Sequence, residues 1–223
     1  MKRIGKISAS MMCASLIDLK RDIKELEKAG IDYLHIDIMD GVFVPNLMLS
    51  NAFIKAVRSV TDIPLDMHLM IVQPENKVSW FDIREGDYVS IHYESTSNVL
   101  GTLQLIEELG GNPGVALSPA TPVEAISYLL ENLKIVNIMA VNPGFSGRNM
   151  VPMTLQKIRD TRRFLDLKGK RDISIEVDGN VTFEHAAKMR AAGADMFVGG
   201  SSGLFLSDMS IQEAAKKLYE SIR

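Results

Sequence analysis

Short apolar runs alternate with stretches of helical period along the whole chain, and that alternation restricts the fold more than any other feature. Runs that read as buried strands cover residues 4–9, 33–39, 64–70, 88–92, 114–117, 135–140, 173–177 and 196–199. Helical stretches lie between them at 16–29, 122–131, 151–165 and 183–192, and 211–222 closes the chain. In the first of these, Leu19, Ile23, Leu26 and Ala29 recur at the three-and-four spacing of an amphipathic helix, and Gly30 follows as its stop. Gly110-Gly111 and Gly193 play that part later, while Thr121-Pro122 and Thr182 read as helix starts. Eight βα units in 223 residues fit one (β/α)8 TIM barrel, near the lower end of its size range. The competitor is a doubly wound open sheet. No Gly-rich dinucleotide fingerprint follows the first strand, where Ser8-Ala9-Ser10-Met11 stands, so the barrel is preferred. No linker, low-complexity segment or charge block divides the chain, so residues 1–223 are expected to form a single barrel domain.

Composition narrows the partners. The chain is 46% hydrophobic and 24% charged with a net charge of −3, which leaves no basic surface for nucleic acid or an anionic membrane. No apolar run reaches the roughly 18–20 residues of a membrane span. The single cysteine, Cys13, excludes an internal disulfide framework and suits a reducing compartment, so a soluble cytoplasmic protein is expected.

In a barrel of this type the C-terminal strand ends and the loops after them form the active face. His35, Asp37 and Met39 alternate onto one face of the second strand, and Gly41 and Pro45 end it. The third strand delivers His68 and Met70, the fourth ends at His92 with Glu94 behind it, and the seventh ends Glu176-Val177-Asp178-Gly179-Asn180. Three of the four histidines therefore fall at strand ends, while His185 sits in the first turns of a helix and reads as a surface residue. His35, Asp37, His68 and Asp178 make a two-imidazole, two-carboxylate set suited to one divalent ion, Zn²⁺ or else Fe²⁺, Mn²⁺, Co²⁺ or Mg²⁺. Asp37 and Asp178 come from strands two and seven, across the barrel mouth, and so suit two-base proton transfer at carbon with the metal facing a developing oxyanion. Gly144, Phe145, Ser146, Gly147, Gly179, Asn180, Gly200 and Ser201 fill the loops after strands six to eight, where backbone amides and helix N-termini favour a phosphate. Arg148 stands beside that site as a candidate charge, and Met39, Met70 and Met139 as a candidate apolar wall. Asp40 falls in the loop and reads as a brace.

These motifs resemble, over essentially the whole chain, the ribulose-phosphate 3-epimerase family. The resemblance rests on His35-Ile-Asp37-Ile-Met39-Asp40-Gly41 with Phe43-Val-Pro45-Asn46, Met67-His68-Leu-Met70, Asn142-Pro143-Gly144-Phe145 and Val177-Asp178-Gly179, in order. It implies a ribulose-phosphate binding barrel, one divalent ion on His35, Asp37, His68 and Asp178, and inversion at C3 of a ketose phosphate by Asp37 and Asp178 through a cis-enediolate. Ser10 and His68 would contact the sugar, the glycine loops would hold its phosphate, and a homo-oligomer is expected. Ala9, Val42, Ser146 and Arg148 depart from the family's usual Pro, His, Gly and Gln. Met12-Cys13, Leu47-Met48-Leu49-Ser50 and Ser202-Gly203-Leu204-Phe205 are closer to the D-allulose 6-phosphate 3-epimerase branch, with D-ribulose 5-phosphate as the alternative substrate. Orotidine-phosphate decarboxylase and hexulose-phosphate synthase place a lysine between two aspartates on one strand, whereas Asp37 and Asp40 here enclose only Ile38 and Met39. A non-catalytic sugar-phosphate binding barrel would not need two opposed acids on a metal.

Overall fold

The computed structural model describes residues 5–145 and 147–223. Eight parallel strands close on themselves: β1 (Lys6–Ser10), β2 (Tyr33–Asp40), β4 (Leu65–Met70), β5 (Tyr88–His92), β6 (Asn112–Leu117), β7 (Ile135–Met139), β8 (Ser174–Asp178) and β9 (Met196–Gly199). β1 completes the barrel by pairing with both β2 and β9. The extra strand, β3 (Leu47–Met48), is a two-residue antiparallel strand folded back on Met39 and Asp40. The helices are α1 (Leu19–Lys28), α2 (Asn51–Arg58), α3 (Val99–Glu108), α4 (Thr154–Leu167), α5 (Phe183–Ala192) and α6 (Ile211–Ser221). This is the (β/α)8 barrel expected from the sequence.

The strands fold this way because they are apolar on the side that meets the helices. Ile7, Leu34, Ile36, Leu69, Val89, Ile91, Val136, Ile138, Ile175 and Val177 are fully buried there, each worth about 1.5–3 kcal/mol relative to exposure. The alternate residues point into the barrel, and many of them are polar: Ser8, Ser10, His35, Asp37, Asp66, His68, Ser90, His92, Asn137 and Glu176 are all buried. Parallel register then decides which of these become neighbours. Ser10 lies beside His35, Asp37 beside His68, and Met139 beside Asp178.

Residues 122–131 do not form the expected helix. They make two short 3₁₀ turns, Val123–Ile126 and Leu130–Asn132. Val123, Ile126, Leu129 and Leu130 are buried and Tyr128 is exposed, as a helix would have them, but the backbone closes three residues back: the amides of Ala125, Ser127, Leu129 and Asn132 donate to the carbonyls of Pro122, Glu124, Ile126 and Leu129. The Ser127 hydroxyl also donates to the Glu124 carbonyl, which favours the tight turn.

Candidate active site and metal centre

His35, Asp37, His68 and Asp178 meet at the C-terminal mouth of the barrel, with one donor atom from each lying within 4.8 Å of the others. His35 Nε2 is 3.3 Å from Asp37 Oδ1 and 3.7 Å from Asp178 Oδ2. His68 Nδ1 is 3.1 Å from Asp37 Oδ1 and 3.4 Å from Asp178 Oδ2. Ser10 Oγ donates to Asp37 Oδ2 at 3.4 Å.

Burial alone would lower the imidazole of His35, but Asp37 and Asp66 beside it override that and hold it well above its usual range. His68 is raised in the same way, against burial, by Asp178 and Asp37. Burial would likewise raise the carboxyl of Asp37, yet His35 and His68 keep it far below the ordinary carboxylate range. The pocket thus concentrates negative charge that calls for a cation. His35 Nε2 is buried and makes no hydrogen bond, while its Nδ1–H donates to Asp66 Oδ2 at 2.6 Å. An imidazole anchored through one nitrogen, with the other buried, without a hydrogen bond and facing two carboxylates, is a ligand prepared to exchange a proton for a metal. Two imidazole nitrogens and two carboxylate oxygens suit a divalent ion of the zinc type. The residues fit the group.

Two carboxylates near this cluster were not singled out in the sequence. Asp66 accepts from His35 and, at 2.8 Å, from Ser8 Oγ. Glu176 Oε1 lies 3.8 Å from His35 Nδ1. Burial, with Asp66 next to it, pushes the Glu176 carboxyl well above its usual range, so it is held protonated. The signal for both was present in the sequence, because each lies two residues before a ligand on the same strand face. A further line of contacts leaves the cluster on the other side. His68 Nε2 is 2.9 Å from His92 Nε2, and His92 Nδ1 is 3.1 Å from Glu94 Oε2.

Above the cluster opens a cleft that reaches the solvent. Ser10, Asp37 and Asp178 line its floor, and Met12, Met39, Met70 and Met139 form an apolar side. Gly144, Phe145, Gly147, Arg148, Gly179, Asn180, Gly200 and Ser201 line the remainder, as does Val198, which was not singled out in the sequence. Ser146 lies outside the described residues.

Two glycines are required by shape. Gly179 has φ +110°, and a Cβ there would come within 2.6 Å of Val141. Gly144 has φ +96°, and its Cβ would meet Val44 at 2.7 Å. Asn46 Nδ2 donates to the Gly144 carbonyl at 3.2 Å, so the loop after β2 braces the loop after β7. Asp40 braces the first of these loops, accepting from the amides of Val42, Phe43 and Val72 at 2.9 Å each. The Arg148 guanidinium stacks on Phe145, 5.2 Å from the ring centroid. His185 is half-buried rather than on the surface, and its Nδ1 lies 3.0 Å from the Asn180 carbonyl oxygen.

A family model described as the ribulose-phosphate 3 epimerase family matches residues 6–205. The chain belongs to this family. It is therefore one of the isomerases that epimerise carbohydrate phosphates. A ribulose-phosphate 3-epimerase of Bacillus subtilis is 43% identical over 203 residues, 91% of this chain and 94% of the relative. A chloroplastic ribulose-5-phosphate-3-epimerase of Arabidopsis thaliana is 42% identical, over 97% of this chain and 77% of its own.

Among solved structures, a 3-keto-L-gulonate-6-phosphate decarboxylase from Vibrio cholerae superposes with a TM-score of 0.71, covering 98% of this chain and 97% of that one. A 3-hexulose-6-phosphate synthase gives 0.68, covering 98% and 100%. At 12% and 15% identity these two show a shared fold and nothing about chemistry.

Proposed function

We propose that this epimerase inverts C3 of a phosphorylated ketose by two-base chemistry, with Asp37 and Asp178 as the acid–base pair. The observation that carries the reading is the pair itself. Two carboxylates from β2 and β8, separated around the barrel by β1 and β9, share one nest with two imidazoles beneath an open cleft. One aspartate takes the C3 proton from one face of the sugar, and the other returns a proton to the opposite face. A divalent ion held by His35, Asp37, His68 and Asp178 supplies positive charge for the oxygen that becomes anionic between the two transfers.

Ser10 tethers Asp37 from β1, and the methionines Met12, Met39, Met70 and Met139 keep water from the planar enediolate face. The phosphate end lies against the loops of Gly144, Gly147, Gly179, Asn180, Gly200 and Ser201; the first four have positive φ, which turns backbone amides toward the cleft. Solvent deuterium is expected at C3 of both epimers when metal-replete enzyme turns over in D₂O. Substrate and product free of deuterium at C3 would falsify the two-base reading.

For substrate length, the D-allulose 6-phosphate reading rests on Met12, Cys13 and Ser202, whose side chains line the cleft. The D-ribulose 5-phosphate reading rests on the names of the relatives. A comparison of kcat/KM for the two sugars after defined metal loading decides between them. A higher value for the hexulose phosphate supports the first.

A further inference from the structure

The two imidazoles of the cluster are anchored in different ways. His35 ends its chain of hydrogen bonds at once on Asp66 and Ser8, inside the barrel. His68 is continued outward. Its Nε2 meets His92 Nε2 at 2.9 Å, His92 Nδ1 meets Glu94 Oε2 at 3.1 Å, and Glu94 Oε1 accepts from the Ser118 amide at 3.0 Å and from the Thr121 hydroxyl. His68 and His92 are fully buried, and the Phe43 ring covers His92 with centroids 4.7 Å apart.

Each link has only one direction that works. The Ser118 amide can only donate, so Glu94 must be an acceptor at that end, and an ionised carboxylate has no proton for its other oxygen. His92 must therefore carry its proton on Nδ1 and, as a neutral ring, present a lone pair at Nε2. The only proton that can satisfy that lone pair is the one on His68 Nε2. When a metal ion takes the place of the proton between the ring and these carboxylates, a neutral His68 presents a bare Nδ1, which lies 3.1 and 3.4 Å from Asp37 Oδ1 and Asp178 Oδ2. A lone pair aimed at two carboxylates is repulsive unless a cation lies between them.

We propose that His92 and Glu94 are positioning residues which, from the far side of β5, fix the tautomer of His68 so that Nδ1 is the atom offered to the metal. This rests on the metal-dependent reading above and extends it beyond the four ligands. Neither residue touches substrate; both act through His68.

Glu94→Gln reverses the polarity at constant shape. The Ser118 amide and Thr121 hydroxyl hold the oxygen of the introduced carboxamide, which turns its NH₂ toward His92 Nδ1 and pushes a proton onto His92 Nε2. That proton opposes the one on His68 Nε2. His92→Gln does the reverse, since its oxygen can accept from His68 while its NH₂ donates to Glu94. His92→Leu removes the relay.

Zinc affinity is read by competition with a chromophoric chelator, and the His68 tautomer by imidazole ¹⁵N shifts of the zinc-loaded protein. Glu94→Gln and His92→Leu are expected to weaken zinc binding by about 10–100-fold, the usual cost of losing a partner behind a ligand. His92→Gln is expected to stay near the wild type, with the His68 proton on Nε2 in both. Equal affinity and unchanged ¹⁵N shifts in Glu94→Gln overturn the proposal while leaving the metal reading intact. A wild-type protein that takes up no zinc, cobalt or manganese overturns the metal reading and this proposal with it.

Discussion

An acid–base aspartate has to be kept ionised and aimed, and at residue scale Asp37 receives both from its neighbours. His35 and His68 hold it charged against burial, and Ser10 anchors its second oxygen. Asp37→Asn keeps the shape and removes the proton carrier, so kcat is expected to fall by at least ~10²–10⁴, the usual worth of a general acid–base group. The same holds for Asp178→Asn. Unchanged far-UV circular dichroism should accompany both losses, and near-normal turnover in either variant would exclude that residue from the pair. His35, Asp37, His68 and Asp178 were legible in the sequence because period-two alternation and strand ends are local properties. The link from His68 to His92 was not, although both residues stood out. It is created by the packing of β4 against β5, which no local pattern encodes. Asp66 and Glu176 were missed for a related reason: a mid-strand carboxylate finds its partners only when the barrel closes.

At the scale of elements, the strands were readable to within a residue or two because each is a continuous apolar run bounded by turn residues. The helices were less so. α3 carries Gly101 in its interior, packed so closely that a Cβ would lie 2.6 Å from Asn98 Oδ1, and that glycine breaks the periodic signal. α2 spans only Asn51–Arg58, too few turns for its period to stand out. The 3₁₀ stretch after β6 was the reverse case, an apolar pattern of helical spacing whose backbone closes in short 3₁₀ turns. The loop that leads into this stretch is tied to the end of β5 through Glu94, which accepts from the Ser118 amide and the Thr121 hydroxyl, and that gives a pH test of the connection. Burial works against it, but hydrogen bonds from His92 and Thr121 bring the Glu94 carboxyl down to about 2 from 4.5. A carboxyl lowered on folding contributes stability that is fully present above its unfolded value and lost as pH falls toward the folded one. Glu94→Gln should therefore narrow the gap in denaturation midpoint between about pH 6 and about pH 3 relative to the wild type. An unchanged gap would mean that the carboxylate does not hold β5 to the loop after β6.

For the whole molecule, closure of the barrel is what brings the site together. β1 joins β2 to β9, so the strand bearing Asp37 and the strand bearing Asp178 come to share one mouth although they lie near opposite ends of the chain. A ligand that binds this mouth and not the unfolded chain must stabilise the entire fold, because no single strand holds more than two of the four donors. At a free metal concentration about 100 times Kd the gain is about 2.7 kcal/mol. For a domain of this size each kcal/mol moves the midpoint by roughly 2–4 °C, so zinc should raise Tm by roughly 5–11 °C. Excess chelator should reverse the shift. His35→Ala should largely abolish it, since that variant removes the bare Nε2 while leaving the other three donors. A zinc-independent Tm in the wild type would overturn the metal reading, and an equal shift in His35→Ala would place the metal somewhere other than this cluster.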